Sequence, residues 1–148
     1  MAVNKEMIAP CGIFCEPCPM YLAQFDEAMR LTLSERLQRD PELCSCAGCR
    51  PTAGSPAPLL GKVCPTFSCA ENKGHETCGE CADFPCNMLH PAADRAAQLP
   101  HNCKVFSLLV LRRDGVERWA EQYPQIGRRY YQGQMVIGSG PALPDDEK

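Results

Sequence analysis

A chain of 148 residues with 15 Lys and Arg against 18 Asp and Glu carries a formal net charge of −3, which gives no electrostatic footprint for a nucleic-acid backbone and makes nucleic acid a disfavoured partner. The length fits one small domain with a modest core. The longest apolar run, Val105 to Leu111, falls far short of the about 18 residues of a membrane span, and the first ten residues lack a signal-peptide core, so a cytoplasmic location is expected.

The opening residues, 1–19, hold Cys11-x3-Cys15-x2-Cys18 among Pro10, Pro17 and Pro19, a composition that predicts a loop of tight turns. After Pro19, Leu22, Phe25, Met29, Leu33 and Leu37 recur at three or four residues, the period of a helix over 19–40. Thr32-x-x-Glu35 matches a capping box, so a break and restart is expected near Thr32, and Asp40-Pro41 ends the segment. From Pro41 to Val63 the chain reads as a loop containing Cys44-x-Cys46-x2-Cys49. Pro65 suits the first position of a helix over 65–73, with Gly74 as its cap. Cys64 precedes that helix and Cys69 lies within it.

Cys78-x2-Cys81-x4-Cys86 follows, and Pro85 is expected to open a short helix over 85–90. The C-terminal third predicts helices across 102–131. Asn102 caps the first, which carries Val105, Phe106, Leu108, Leu109 and Leu111 and stops at Asp114-Gly115. The second places Val116, Trp119, Ala120 and Tyr123 on one face, with Pro124 and Gly127 disturbing its end. These helices read as a hairpin packed on the first helix, with Trp119 buried. The excess of basic over acidic residues between Lys104 and Arg129 reads as a solvated face, and a partner surface is the minor reading. Residues 132–148 have the composition of a flexible tail. The fold class is therefore mainly α, a small single domain over 1–131 with irregular, cysteine-rich, metal-clamped loops.

The cysteines carry the chemistry. Reducing cytoplasmic conditions argue against a disulfide framework for 12 of them. Two cysteines two residues apart can grip one metal ion through a tight turn, and two such grips complete a tetrahedral thiolate site. Cys46-x2-Cys49 and Cys78-x2-Cys81 have that zinc-knuckle spacing, with Gly48 and Gly79 placed to let backbone amides turn towards sulfur. Cys64 and Cys69 lie near a helix N-terminus, whose dipole favours thiolate, and Cys86 lies just behind Pro85. Two sites can be drawn: Cys46, Cys49, Cys64 and Cys69 for one, and Cys78, Cys81, Cys86 and a member of the N-terminal group for the other. Interleaved sets are equally legal, because spacing does not assign partners. His75 is the best of three histidines as a ligand, the alternative being a surface loop; His90 and His101 flank helix ends. Cys44 and Cys103 complete no pair, and Cys103 reads as a small buried hydrophobe.

Energetics point the same way. The large apolar residues between Asp40 and His90 are Leu43, Leu59, Leu60, Val63, Phe67, Phe84, Met88 and Leu89. They do not offset an ordering cost of roughly 1–2 kcal/mol per residue, whereas a structural zinc site contributes an apparent ~10–16 kcal/mol to folding. The cysteines stand in for a missing core.

The stretch from Ile8 to Leu89 resembles a cysteine-rich bacterial and archaeal family known as domain of unknown function 3795. The resemblance rests on Cys11-Gly12-x-x-Cys15-x-x-Cys18-Pro19-x-Tyr21, on Cys46-x-Gly48-Cys49, and on the pair Cys64 and Cys69 before Lys73-Gly74. Cys78-Gly79-Glu80-Cys81-x-x-Phe84-Pro85-Cys86 completes the core pattern, and Gly115, Glu117 and Trp119 match a later Gly-x-Glu-x-Trp element. It implies a metal-binding module, with zinc as the expected metal and Cys44, Cys103 and His75 outside the shared pattern.

The expected function is a small zinc-binding protein with structural sites formed from Cys11, Cys15, Cys18, Cys46, Cys49, Cys64, Cys69, Cys78, Cys81 and Cys86. It would act as an interaction module for a protein partner and not as an enzyme. Two rivals come from other classes. An iron–sulfur electron carrier or sensor fits a thiol-rich chain, although the ferredoxin C-x2-C-x2-C-x3-C run is absent. The spacing of Cys11, Cys15 and Cys18 is that of radical S-adenosylmethionine enzymes, but a short helical chain lacks their barrel. A thiol–disulfide protein using Cys15 and Cys18 is the other rival.

Overall fold

The computed structural model describes residues 2–89, 102–136, 138 and 140–146. Among them are five helices, α1 (Pro19–Leu22), α2 (Glu27–Leu37), α3 (Pro65–Lys73), α4 (Asn102–Asp114) and α5 (Val116–Gln132), and a small hairpin of β1 (Gln134–Val136) and β2 (Gly140–Ala142). Single 3-10 turns punctuate the loops. The mainly helical, cysteine-rich class expected from the sequence is the one observed.

The core forms where the opening loop meets α4 and α5. Residues 7–15 fold back on themselves: Cys15 N–H donates to Met7 O at 2.7 Å and Ala9 N–H to Ile13 O at 2.8 Å. Gly12 makes the turn at φ +86, and a Cβ there would stand 2.7 Å from Leu108 Cγ. Met7, Ile8, Phe14 and Cys15 of this loop pack with Val110, Trp119, Tyr123 and Ile126. Phe14, Trp119 and Tyr123 form an aromatic triangle with centroids 5.1 to 5.6 Å apart, and each such pair adds roughly 0.5–1.5 kcal/mol beyond the area it buries. The α4–α5 pair therefore packs on the opening loop, not on the first helix as expected, because the loop supplies the large apolar side chains.

Several boundaries differ from expectation. The helix placed at 19–40 is two helices, and the break falls at residues 23–26, not at Thr32. Asp26 caps α2 by accepting from Met29 N–H at 3.0 Å, while the Thr32 hydroxyl donates back to Ala28 O within the helix. None of α2 is buried; Phe25 is 76% exposed and Leu31 47%, so its apolar spacing does not face a core. Gln38 ends it in the left-handed region, and Asp40 caps the next turn, Pro41–Leu43. The helix over 65–73 is present as α3, with Gly74 capping at φ +70. The one expected at 85–90 is a single 3-10 turn, Asn87–Leu89; His90 and His101 lie outside the described residues.

Pro124 lies inside α5, which continues through Gly127 to Gln132. The segment expected as a tail carries the β1–β2 hairpin, fastened to α5 by Arg129 to Asp146 at 2.7 Å and Arg128 to Asp145 at 2.8 Å. Leu143 is buried there. Among the described residues, no helix is long and apolar enough to cross a membrane.

Candidate metal centre

Backbone hydrogen bonds strap the cysteine loops to the core. Cys46 N–H donates to Met20 O at 2.9 Å and the Gln24 amide to Cys46 O at 2.8 Å, tying the first knuckle to α1. Gly48, at φ +103, turns its N–H towards Cys46 Sγ at 3.4 Å, the amide-to-sulfur geometry expected of a knuckle. Thr52 Oγ1 donates to Gly48 O at 2.6 Å, and Gly54 N–H to Cys49 O at 2.8 Å. Cys64 N–H donates to Gly54 O at 2.7 Å, so Cys64 hangs from the same loop as it opens α3. Cys78 N–H donates to Pro10 O at 2.8 Å, which fixes the second knuckle beside the opening turn. Gly79 is buried beside Leu108 of α4, where a Cβ would stand an ordinary 3.6 Å from Leu108 O.

The thiols fall into two neighbourhoods that meet at Cys11. In the first, Cys49 donates its proton to Cys15, which lowers the Cys15 thiol to about 7, while Cys49 itself is pushed far up. Cys11 and Cys46 also raise Cys49 by their charge, and Cys64 and Cys15 act on Cys11 in the same sense. Burial is the main force raising Cys11, opposed by the Lys104 ammonium. Cys18 stands at the rim of this group. Burial pushes its thiol up, and the Tyr131 hydroxyl from α5 donates to its sulfur at 3.4 Å.

The second neighbourhood is a cavity of about 320 Å³ lined by Cys69, Cys78, Cys81 and Cys86. Cys69 comes from α3, Cys78 and Cys81 from the 3-10 turn Cys78–Glu80 and its cap, and Cys86 from the exposed loop beyond. Burial, with the like charges of Cys11, Cys86, Cys69 and Cys81, pushes the Cys78 thiol up to about 12. Lys73 donates to Cys81 Sγ at 3.4 Å and pairs with Asp83 at 2.7 Å. His75 lines the same cavity. Cys69, drawn from the sequence with Cys46, Cys49 and Cys64 in one candidate set, lines this cavity beside the second knuckle.

All twelve cysteines are free thiols. Cys44 and Cys103 are buried and belong to neither neighbourhood; burial raises the Cys103 thiol. As the side chains stand, no three His, Cys, Asp or Glu residues among the described ones are grouped to hold a metal ion. The thiols are neighbours and not a converged ligand set. Their chemistry nonetheless fits a thiophilic cation: buried sulfurs that repel one another when ionised are stabilised together by one positive centre.

Three residues that sequence reasoning did not single out organise these groups. Arg50 Nε donates to Ile8 O at 2.9 Å, its Nη2 donates to Glu76 O, and its guanidinium lies 3.9 Å from Glu71. One side chain so joins the opening loop, α3 and the second knuckle. Tyr131 and Lys73 each donate to a thiol. Sequence alone offers no signal for Arg50 or Tyr131, since their hydrogen-bond partners are 26 to 113 residues away. Lys73 does stand beside the Gly74 cap that the resemblance includes. A second groove, of about 590 Å³, runs beside the second knuckle between Lys5, Arg50, Glu80 and Arg112, with charges of both signs.

No curated protein and no solved structure matches the chain. The family described as "Protein of unknown function (DUF3795)" matches residues 7–91. The match spans the opening turn, both knuckles and α3, and leaves out α4, α5 and the Trp119 element. With more than half of its length covered by that match, the chain belongs to the DUF3795 family.

Proposed function

We propose that this is a small cytoplasmic zinc-binding module in which Cys11, Cys15, Cys18, Cys46, Cys49, Cys64, Cys69, Cys78, Cys81 and Cys86 supply structural thiolate ligands. Its surface, and not a catalytic centre, carries the function. One observation supports this best: between residues 41 and 89, only Phe67 and Leu89 of the large apolar side chains are buried, while Leu43, Leu60 and Val63 are about half exposed or more. An interior so poor in apolar area cannot order fifty residues, at roughly 1–2 kcal/mol each. Zinc bound to thiolates would supply the missing ~10–16 kcal/mol. The apolar residues left exposed around α1 and α2, Phe25 foremost, suit a protein partner.

The lowered thiol of Cys15 beside Cys49 favours a second reading, a thiol–disulfide protein that uses this pair in place of Cys15 and Cys18. Its weakness is the burial of Cys15.

Elemental analysis with an ultraviolet–visible spectrum, on protein purified without oxygen, separates these readings. Zinc with no visible band is expected. Iron with acid-labile sulfide would replace the proposal with an iron–sulfur carrier. Metal-free, folded protein whose Cys15 alkylates rapidly would replace it with the thiol–disulfide reading.

A further inference from the structure

The geometry points to Cys69, Cys78, Cys81 and Cys86, which line one cavity, as the set that a single Zn²⁺ ion would draw together into a four-thiolate site distinct from the Cys15 and Cys49 pair. This assignment rests on the zinc reading above and deepens it by fixing which cysteines share a metal. Four sulfurs line one cavity: α3 carries Cys69, the strapped second knuckle carries Cys78 and Cys81, and the exposed loop beyond it carries Cys86. The first group has its own internal bond, between Cys15 and Cys49. It also has its own straps, through Met20 and Gly54. Four thiolates around one divalent ion satisfy tetrahedral zinc without a water ligand, which leaves the site structural.

The charge around the cavity fits. A four-thiolate zinc site is net negative, and the Lys73 ammonium donates to Cys81 Sγ from the cavity wall. Such an outer donor steadies the thiolate and lowers its reactivity. The cavity also differs from the first neighbourhood in access. Cys86 is exposed, whereas Cys15 is buried. The two sites should therefore release metal at different rates, this one first.

The test compares zinc per chain in the wild-type protein and in two double variants, Cys69→Ser with Cys81→Ser and Cys46→Ser with Cys49→Ser. The same proteins are then loaded with Co²⁺, whose visible bands report tetrahedral thiolate ligation. The expected result is that the first variant loses one equivalent of zinc and keeps the rest. The second variant should retain one equivalent and the cobalt spectrum of a four-thiolate site. Wild-type protein without zinc would overturn the underlying zinc reading. Zinc-loaded wild type with full zinc in the Cys69/Cys81 variant would overturn the assignment alone. So would loss of all metal from the Cys46/Cys49 variant, since the site would then not stand on its own.

Discussion

The Trp119 indole N–H donates to the Ser107 hydroxyl at 2.9 Å, and both residues are all but fully buried. Ser107 in turn donates to Gly12 O at 2.6 Å. One hydroxyl thus closes a chain from α5 through α4 to the turn that carries Cys11 and Cys15. Its removal leaves a buried indole N–H without an acceptor and a turn carbonyl without its donor, at about 1–3 kcal/mol for each unsatisfied group. Ser107→Ala should lower the urea midpoint accordingly, and should change the near-ultraviolet circular dichroism of Trp119, the one tryptophan in the chain. An unchanged midpoint would show that the chain of bonds does not support the core.

Gly12 is the tighter constraint on the same turn. Its φ of +86 disfavours any L side chain, and its Cβ would also collide with Leu108. Gly12→Ala is expected to destabilise by more than about 1 kcal/mol, and to loosen the first thiol group because Cys11 is its neighbour. Zinc content and unfolding midpoint measured on one preparation should fall together.

How much of this was legible in the sequence depends on the range of the interaction concerned. The α3 helix, its Gly74 cap and the burial of Trp119 follow from local signals: proline at the first position, a left-handed cap and a helical apolar face. The break at Asp26 was missed because two caps competed, and Asp26 accepting from Met29 won over the Thr32 box. The apolar period of α2 misled because periodicity states which residues share a face, not whether anything covers that face. The β1–β2 hairpin depends on Arg128 and Arg129 meeting Asp145 and Asp146, pairs 17 residues apart that no local pattern announces. Spacing marks which cysteines lie in clusters. It does not say which of them face one cavity, because Cys69 is placed by where α3 lies, and no spacing rule contains that.

Chelation should divide the chain. The core of α4, α5 and the opening loop is apolar and aromatic, while between residues 41 and 89 only Phe67 and Leu89 of the large apolar side chains are buried. After treatment with a strong chelator, hydrogen exchange should accelerate across residues 44–86 and stay slow in α5. Replacement of Cys46 or Cys81 should do the same on a smaller scale. Uniform protection after complete metal loss would refute the structural role assigned to zinc.

Arg50 offers a test that touches no thiol. Its guanidinium reaches two backbone carbonyls in separate loops, which a lysine ammonium cannot span in the same fork. Arg50→Lys should therefore cost nearly as much as Arg50→Ala, about 1–3 kcal/mol by thermal or urea unfolding of the loaded protein. Full rescue by lysine would show that only the charge matters.

Proton release gives the last expectation, and its sign follows from burial. The Cys78 thiol is pushed from 9.0 up to about 12, first by burial and then by its sulfur neighbours. Without metal it is therefore protonated at neutral pH. A raised folded value makes this contribution to metal-free stability complete below the unfolded value and lost as pH climbs towards about 12. Zinc binding works in the opposite sense, because the ligand must be thiolate: each protonated thiol gives up its proton on binding, and affinity rises with pH. Calorimetric titration of metal-free protein with Zn²⁺, in buffers of different ionisation enthalpy, should show several protons released per ion at pH 7 and weaker binding at pH 6. Binding that releases no protons would mean that the cation is not held by these buried thiols.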